Sequence, residues 1–424
     1  MIKTALPFSD PDTIGYPSGR VNGERLWQRM AELATIGATP LGGVHRPALS
    51  EAETAARLRI IDWSTQIGLV TFADPIGNLF LRLAGTSDGA EPVLTGSYLD
   101  TQPNGGKYSG SFGMLAALEA IAAIAKMNRR PARPIIAVAW MNGEGTRFNP
   151  GYMGSEVFAG RRSLTQTLKI CDAAGKSVAD ALRDWQTAVP ELPQAALGFP
   201  CAAYVETHLE QGPVLEENRR QIGIVTALQG VRRFQVRVIG EAAHAGTMPR
   251  RQRRDALSAT VRIIGALENF CAAPDVLFTV SQLSVEPNAP SVVPSATTFS
   301  VDIRHQDDAV LARLGDTIRL ICESEKGPCD FTMTENMSNP STTFHDEIQS
   351  AVATAARRLN LSAMPLVSLG GHDAKSLARH CPSGIIFIPC RNGLSHNEAE
   401  SIAPEAATAG AKVLADVLWG QAMA

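Results

Sequence analysis

Four short polar segments hold the residues best suited to chemistry: GSYLDT (96–101), MNGEGTRF (141–148), VETHLEQGP (205–213) and GLSHNE (393–398). They include two imidazoles, His208 and His396, with the carboxylate of Glu144 and the phenol of Tyr98. Imidazoles and carboxylates ligate divalent ions or move protons near neutral pH. A phenol donates a proton, or accepts one when nearby positive charge lowers its pKa. A single His or Glu in a chain of 424 residues is ordinarily structural or solvated. Here each segment ends or follows an apolar run, and open α/β sheets bind ligands beyond the carboxyl ends of their strands.

The elements that must position these groups follow from periodicity. Helical apolar spacing covers 26–34 and 52–67, the second stopped by Gly68. Strands are expected at 79–83, 92–98, 134–141 and 202–208, with an Ala-rich helix over 112–127. The rhythm changes near Gly212. A strand at 234–239, a helix at 255–270, strands at 277–285 and 297–305, a helix at 309–323 and a strand at 330–334 give the βαββαβ order of the ferredoxin-like split unit. A helix at 346–359, a strand at 384–389 and a helix at 404–418 restore the first pattern. The expected architecture is an α/β domain of residues 1–212 and 336–424, with a ferredoxin-like α+β domain of residues 213–335 inserted in it.

Bulk properties narrow the function classes. With 45% hydrophobic and 19% charged residues, the chain is able to bury a large core. A net charge of −3 gives no electrostatic footprint for nucleic acid or an anionic membrane. No apolar run approaches the roughly 18 residues of a membrane helix, and the opening MIKTALPFSD lacks the apolar core of a signal peptide. Seven scattered cysteines read as free thiols in a reducing cytoplasm, where we expect the protein to reside.

The polar segments, together with ATPLGGVHRPALS (38–50), IGNLF (76–80), HAGTMPRRQRRDAL (244–257), EPNAPSVVP (286–294), DIRH (302–305) and GGHDA (370–374), resemble those of the hydantoinase/carbamoylase amidases. The similarity spans nearly the whole chain. It implies an aminopeptidase-like mixed-sheet catalytic domain and an inserted lid that also forms a homodimer. It further implies hydrolysis of linear amide or ureido bonds by two divalent ions. In that family one ion is held by a His in a GSHLDT-like segment and by the His of HLEQG. The other is held by the second Glu of an Asn-Glu-Glu-Gly segment and by the His of SHN. An Asp in a YDG-like turn bridges them, and the first Glu of the pair activates water.

This chain departs from that pattern at three positions. Tyr98 replaces the first His, Ser109 the bridging Asp, and Gly143 the base. His208, Glu144 and His396 remain as residual ligands. A divalent ion needs three or four well-placed donors, normally including anionic ones. We therefore expect no metal cofactor, or at most one weakly bound divalent ion. Asp100, which orients the metal-binding His in the family, is left to hold its loop. The resemblance assigns Arg304 and Gln211 to a substrate carboxylate and His244 to the scissile carbonyl. It places His372 in the pocket and puts Ser291 where the family has a contacting Asn.

Three readings stay open. The first is an amidohydrolase acting on a small carboxylate-bearing N-carbamoyl, ureido or N-acyl amino acid. The second is a metal-independent lyase or isomerase in which Tyr98 and Glu144 serve as acid and base, aided by His208, His244, His396 and Ser109. There a protonated His would have to lower the Tyr98 pKa. The third is a carboxylate-binding protein without turnover.

Overall fold

A computed structural model describes residues 15–87 and 89–424. The reading of the first ten residues lies outside the described residues. The chain divides into two compact units, one running up to Thr226 and again from Thr343 to Ala424, the other Ala227–Thr342.

The first unit is built on a mixed sheet. Four of its strands, Ile135–Trp140, Val93–Tyr98, Ala203–Leu209 and Ser383–Ile388, lie side by side in that order and run parallel. All four are buried along their length, as expected for parallel strands covered on both faces. Leu79–Leu83 extends the sheet antiparallel on one side, and Ile222–Leu228 on the other. The helices Ser111–Ala125 and Pro404–Met423 pack against each other and against these strands. Because the four central strands are parallel, their carboxyl ends share one edge of the sheet, and the polar segments leave from that edge.

Several motifs turn out to hold this edge in place. Arg46 is wholly buried and donates from Nε to Leu99 O (2.7 Å) and from Nη1 to Leu33 O and Ile36 O (3.1 and 3.0 Å). Burial lowers its pKa to about 10, and its backbone N–H bonds Thr101 Oγ1 (2.9 Å). ATPLGGVHRPALS thus clamps the loop that follows Val93–Tyr98. Asn78 of IGNLF bonds Gly154 O (3.0 Å) and accepts from Met141 N (2.9 Å), where MNGEG begins. Asp373 of GGHDA takes the Ser155 hydroxyl (2.5 Å), and Ala374 N bonds Glu206 (2.9 Å).

In the second unit the strands lie in the order Leu283–Glu286, Ala296–His305, Gly230–Ile239, Asp330–Asn339, each antiparallel to its neighbour. With the helices Ala256–Phe270 and Asp308–Glu325 this is the expected ferredoxin-like arrangement. Ala296–His305 alternates buried and half-buried residues from Thr297 onward, and Phe299, Val301 and Ile303 join Phe234, Val236, Ile263 and Ile318 in a separate core.

The boundaries differ from 212/213 and 335/336. Residues 213–226 belong to the first unit because Ile222–Leu228 pairs with Ser383–Ile388, Val225 opposite Ile385. Asp330–Asn339 runs past 335 through a bulge between Glu335 and Met337, so the second unit continues to Thr342. Strands Val70–Ala73 and Ala363–Ser368 and helix Val178–Ala188 add to the expected set. The single strand expected at 277–285 divides into Leu277–Thr279 and Leu283–Glu286. All seven cysteines are free, six of them buried. No helix among the described residues is long and apolar enough to cross a membrane.

Candidate active site

Tyr98, the last residue of its strand, is buried, with its ring held between two glycines. A Cβ at Gly110 would lie 2.3 Å from Tyr98 Cδ2, and one at Gly143 would lie 2.4 Å from Cγ and 2.7 Å from the tyrosine's own Cβ. The Tyr98 hydroxyl lies 3.2 Å from His208 Nε2. His208 Nδ1 is 2.9 Å from Leu209 O, and a carbonyl only accepts, so Nδ1 carries the ring proton. Nε2 is then a bare lone pair facing Tyr98 O–H and Gly110 N–H (3.3 Å).

Burial pushes His208 down to about 4. Burial, with His208 beside it, pushes His372 well below the usual histidine value, the two rings lying 4.5 Å apart. His372 Nε2 donates to Ser368 Oγ (3.1 Å), whose own proton goes to Gly370 O (3.0 Å). Both imidazoles are therefore neutral. The expectation that a protonated histidine lowers the Tyr98 pKa is corrected. Burial first, then Glu144 and other nearby carboxyls, raises that pKa well above its ordinary value. Tyr98 is a proton donor in this site and not a base.

Glu144 lies in the loop after Ile135–Trp140. Asp100 accepts the backbone N–H groups of Gly143 (2.9 Å) and Glu144 (3.1 Å), fixing that loop. Glu144 Oε2 accepts from Gln102 Nε2 (2.7 Å) and lies 3.7 Å from His396 Nε2. Burial raises the Glu144 pKa, opposed by His396, Gln102 and the Tyr98 hydroxyl. The single Tyr98 proton therefore faces two acceptors, His208 and Glu144. His396 is about half exposed and Glu144 is enclosed, so the pair spans the rim and floor of the site.

Ser109 belongs to a second cluster that sequence reasoning missed. Glu400 is buried and accepts Tyr108 N and Ser109 N at Oε1 (2.9 Å each), and the hydroxyls of Ser109 and Ser395 at Oε2 (2.7 Å each). The Ser109 and Ser395 hydroxyls both donate to the same Glu400 oxygen, which holds the two serines in place. Ser109 is thereby an anchoring hydroxyl. Gln211 Nε2 bonds Ser109 Oγ (3.3 Å) and Ser395 Oγ (3.1 Å). The only signal for Glu400 was its place four residues after His396. Gln102 gave no signal beyond its proximity to Asp100.

The other three expected residues lie in the second unit. His244 is exposed on a two-residue strand paired with Val292–Val293, and its Nδ1 accepts Gly246 N–H (3.0 Å). Ser291 has φ +66° and accepts Ala245 N–H at its carbonyl (2.9 Å). Arg304 donates from Nε to Asp302 (2.8 Å), a carboxylate it shares with Arg233.

These surroundings do not fit a metal pair. His208 Nε2, the surviving ligand of the first ion, faces two protein donors. Ser109 brings a neutral hydroxyl already bonded to Glu400. The backbone at 143 is drawn so close to Tyr98 that any side chain there would collide with it. Among the described residues, no three His, Cys, Asp or Glu side chains converge to hold an ion.

The packing predicts strong coupling between positions 98 and 143. Gly143→Ala should cost about 1–3 kcal/mol through overpacking. In a Tyr98→Gly background, which removes ring and Cβ, most of that cost should vanish, leaving a coupling of at least about 1 kcal/mol in a denaturant double-mutant cycle. Additive effects would show that the ring does not occupy this space.

Comparison with known proteins agrees with the architecture. The profile of peptidase family M20/M25/M40 matches residues 94–420. The N-carbamoyl-L-amino-acid amidohydrolase of Rhizobium meliloti is 38% identical, over 93% of this chain and 95% of its own length. The allantoate amidohydrolase of Escherichia coli K12 is 36% identical, over 91% and 95%. A crystal structure of a hydantoinase/carbamoylase family amidase from Burkholderia multivorans superimposes with a TM-score of 0.88 at 38% identity, covering 95% of this chain and 98% of that one. The chain belongs to peptidase family M20/M25/M40 and, within it, to the hydantoinase/carbamoylase amidases, a group of hydrolases.

Proposed function

We propose that this protein hydrolyses a C–N bond of a small carboxylate-bearing N-carbamoyl, ureido or N-acyl amino acid, with Glu144 and not a metal pair managing the proton. The substrate class follows the names of its relatives. The observation that carries the mechanism is the setting of Glu144, an enclosed carboxylate at the carboxyl edge of the sheet, held by Gln102 and flanked by His396. In its charged form Glu144 takes a proton from the attacking water. The water oxygen bonds the carbonyl carbon, the C–N bond breaks, and the same proton passes to the leaving nitrogen. Tyr98 supplies a hydrogen-bond donor beside Glu144. The resemblance gives Arg304 the substrate carboxylate and His244 the scissile carbonyl. The seven free thiols support a reducing, cytoplasmic setting.

Glu144→Gln keeps the shape of the side chain and removes the base. Hydrolysis of N-carbamoyl amino acids should fall by about 10²–10⁴-fold in kcat, with KM changed far less. Turnover within a few-fold of the native rate would reject Glu144 as the base.

We also propose that the second unit serves as a lid and carries a homodimer interface. It exposes Leu277 and Leu283 on its strands and Val261, Phe270 and Leu320 on its helices, apolar side chains available for a second copy to cover. Light scattering at micromolar concentration should give twice the chain mass. A single-chain mass would reject the dimer.

A further inference from the structure

An apolar cavity of about 660 Å³ opens beside the candidate site, within the first unit. Its volume lies in the range of small-molecule pockets. The walls are supplied by Val214, Leu366, Leu369, Phe387 and Leu394. Leu369 is 54% exposed and Leu394 39%, so both retain apolar surface for a ligand to cover. Gln211, Ser395 and His396 line the cavity as well as the site, which makes the two spaces continuous. The ring of Phe387 packs 5.2 Å from His372, which in turn packs on His208.

The amide and hydroxyl hydrogens of Gln211 and Ser395 at this boundary are already taken by protein groups. The Gln211 amide N–H groups bond Ser109 and Ser395, and the Ser395 proton goes to Glu400. Glu210, the one acidic side chain on the lining, is turned to the backbone N–H groups of Val214 and Leu215 (2.8 Å each). A urea-bearing substituent placed here would leave several of its donors and acceptors without partners, which is unfavourable in an apolar space. A hydrocarbon substituent would lose nothing and would cover Leu369 and Leu394.

We infer that this cavity seats the side chain of the substrate, and that the substrates are N-substituted amino acids with aliphatic or aromatic side chains, not diureido acids such as allantoate. The inference rests on the proposed hydrolysis and adds to it the choice between the two activities named among the relatives.

The test measures kcat/KM of the native chain for N-carbamoyl-L-leucine, N-carbamoylglycine and allantoate. Burial of the isobutyl group should favour the leucine compound over the glycine one by about 10- to 100-fold. Allantoate should fall near or below N-carbamoylglycine. Leu394→Asp and Leu369→Ser, both at exposed positions, should each cut the leucine-to-glycine ratio to within a few-fold of one. Equal rates for leucine and glycine, a preference for allantoate, or a ratio unchanged in both variants would overturn the assignment of this cavity while leaving hydrolysis standing. No turnover of any of the three would remove the proposed hydrolysis, and this inference with it.

Discussion

The site depends on one packing constraint, the placement of the Tyr98 ring between Gly110 and Gly143. A side chain at either glycine would overlap the tyrosine. The phenol at 98 and the missing carboxylate at 143 are therefore one structural choice and not two independent losses. The ring also sets the protonation of its neighbours. It encloses His208, whose bare Nε2 faces the phenol and Gly110 N–H, and burial holds that imidazole neutral. An ion at this position would have to displace both donors and reopen a packed contact.

Around that contact the scaffold is family-like and closely braced. Arg46, Asn78 and Asp100 each tie one polar loop to another through buried hydrogen bonds. A buried group left without its partner typically costs about 1–3 kcal/mol, so these loops are held in one arrangement. Glu400 does the same for the turn carrying Ser109 and for the segment carrying Ser395 and His396. Glu144 is enclosed beneath the half-exposed His396, with Gln102 donating to its Oε2. The departures from the family pattern are confined to a few side chains, on a backbone that these bonds hold strongly in place.

Much of this was legible in the residues. Strands such as Ile135–Trp140 announce themselves as continuous apolar runs, since parallel strands are buried on both faces. The second unit was readable because its alternation and order match a known split unit. Ile222–Leu228 was not, because the change of rhythm near Gly212 read as a domain break while its pairing with Ser383–Ile388 is set by tertiary contact across more than 150 residues. His208, Glu144 and His396 could be picked out by residue type and position. The role of Tyr98 could not. Its neighbours' charge depends on burial and tautomer, and neither is written in the order of residues. Glu400 was likewise hidden, since an acidic residue in a loop gives no sign that four donors converge on it.

The central proposal is that this member of the family works without the metal pair. Elemental analysis of the native chain, followed by assay of N-carbamoyl amino acid hydrolysis before and after dialysis against a chelator, tests it directly. The account predicts well under one tightly held zinc or manganese per chain and hydrolysis unchanged by chelation. About two ions per chain, or hydrolysis abolished by the chelator and restored by added metal, would contradict it.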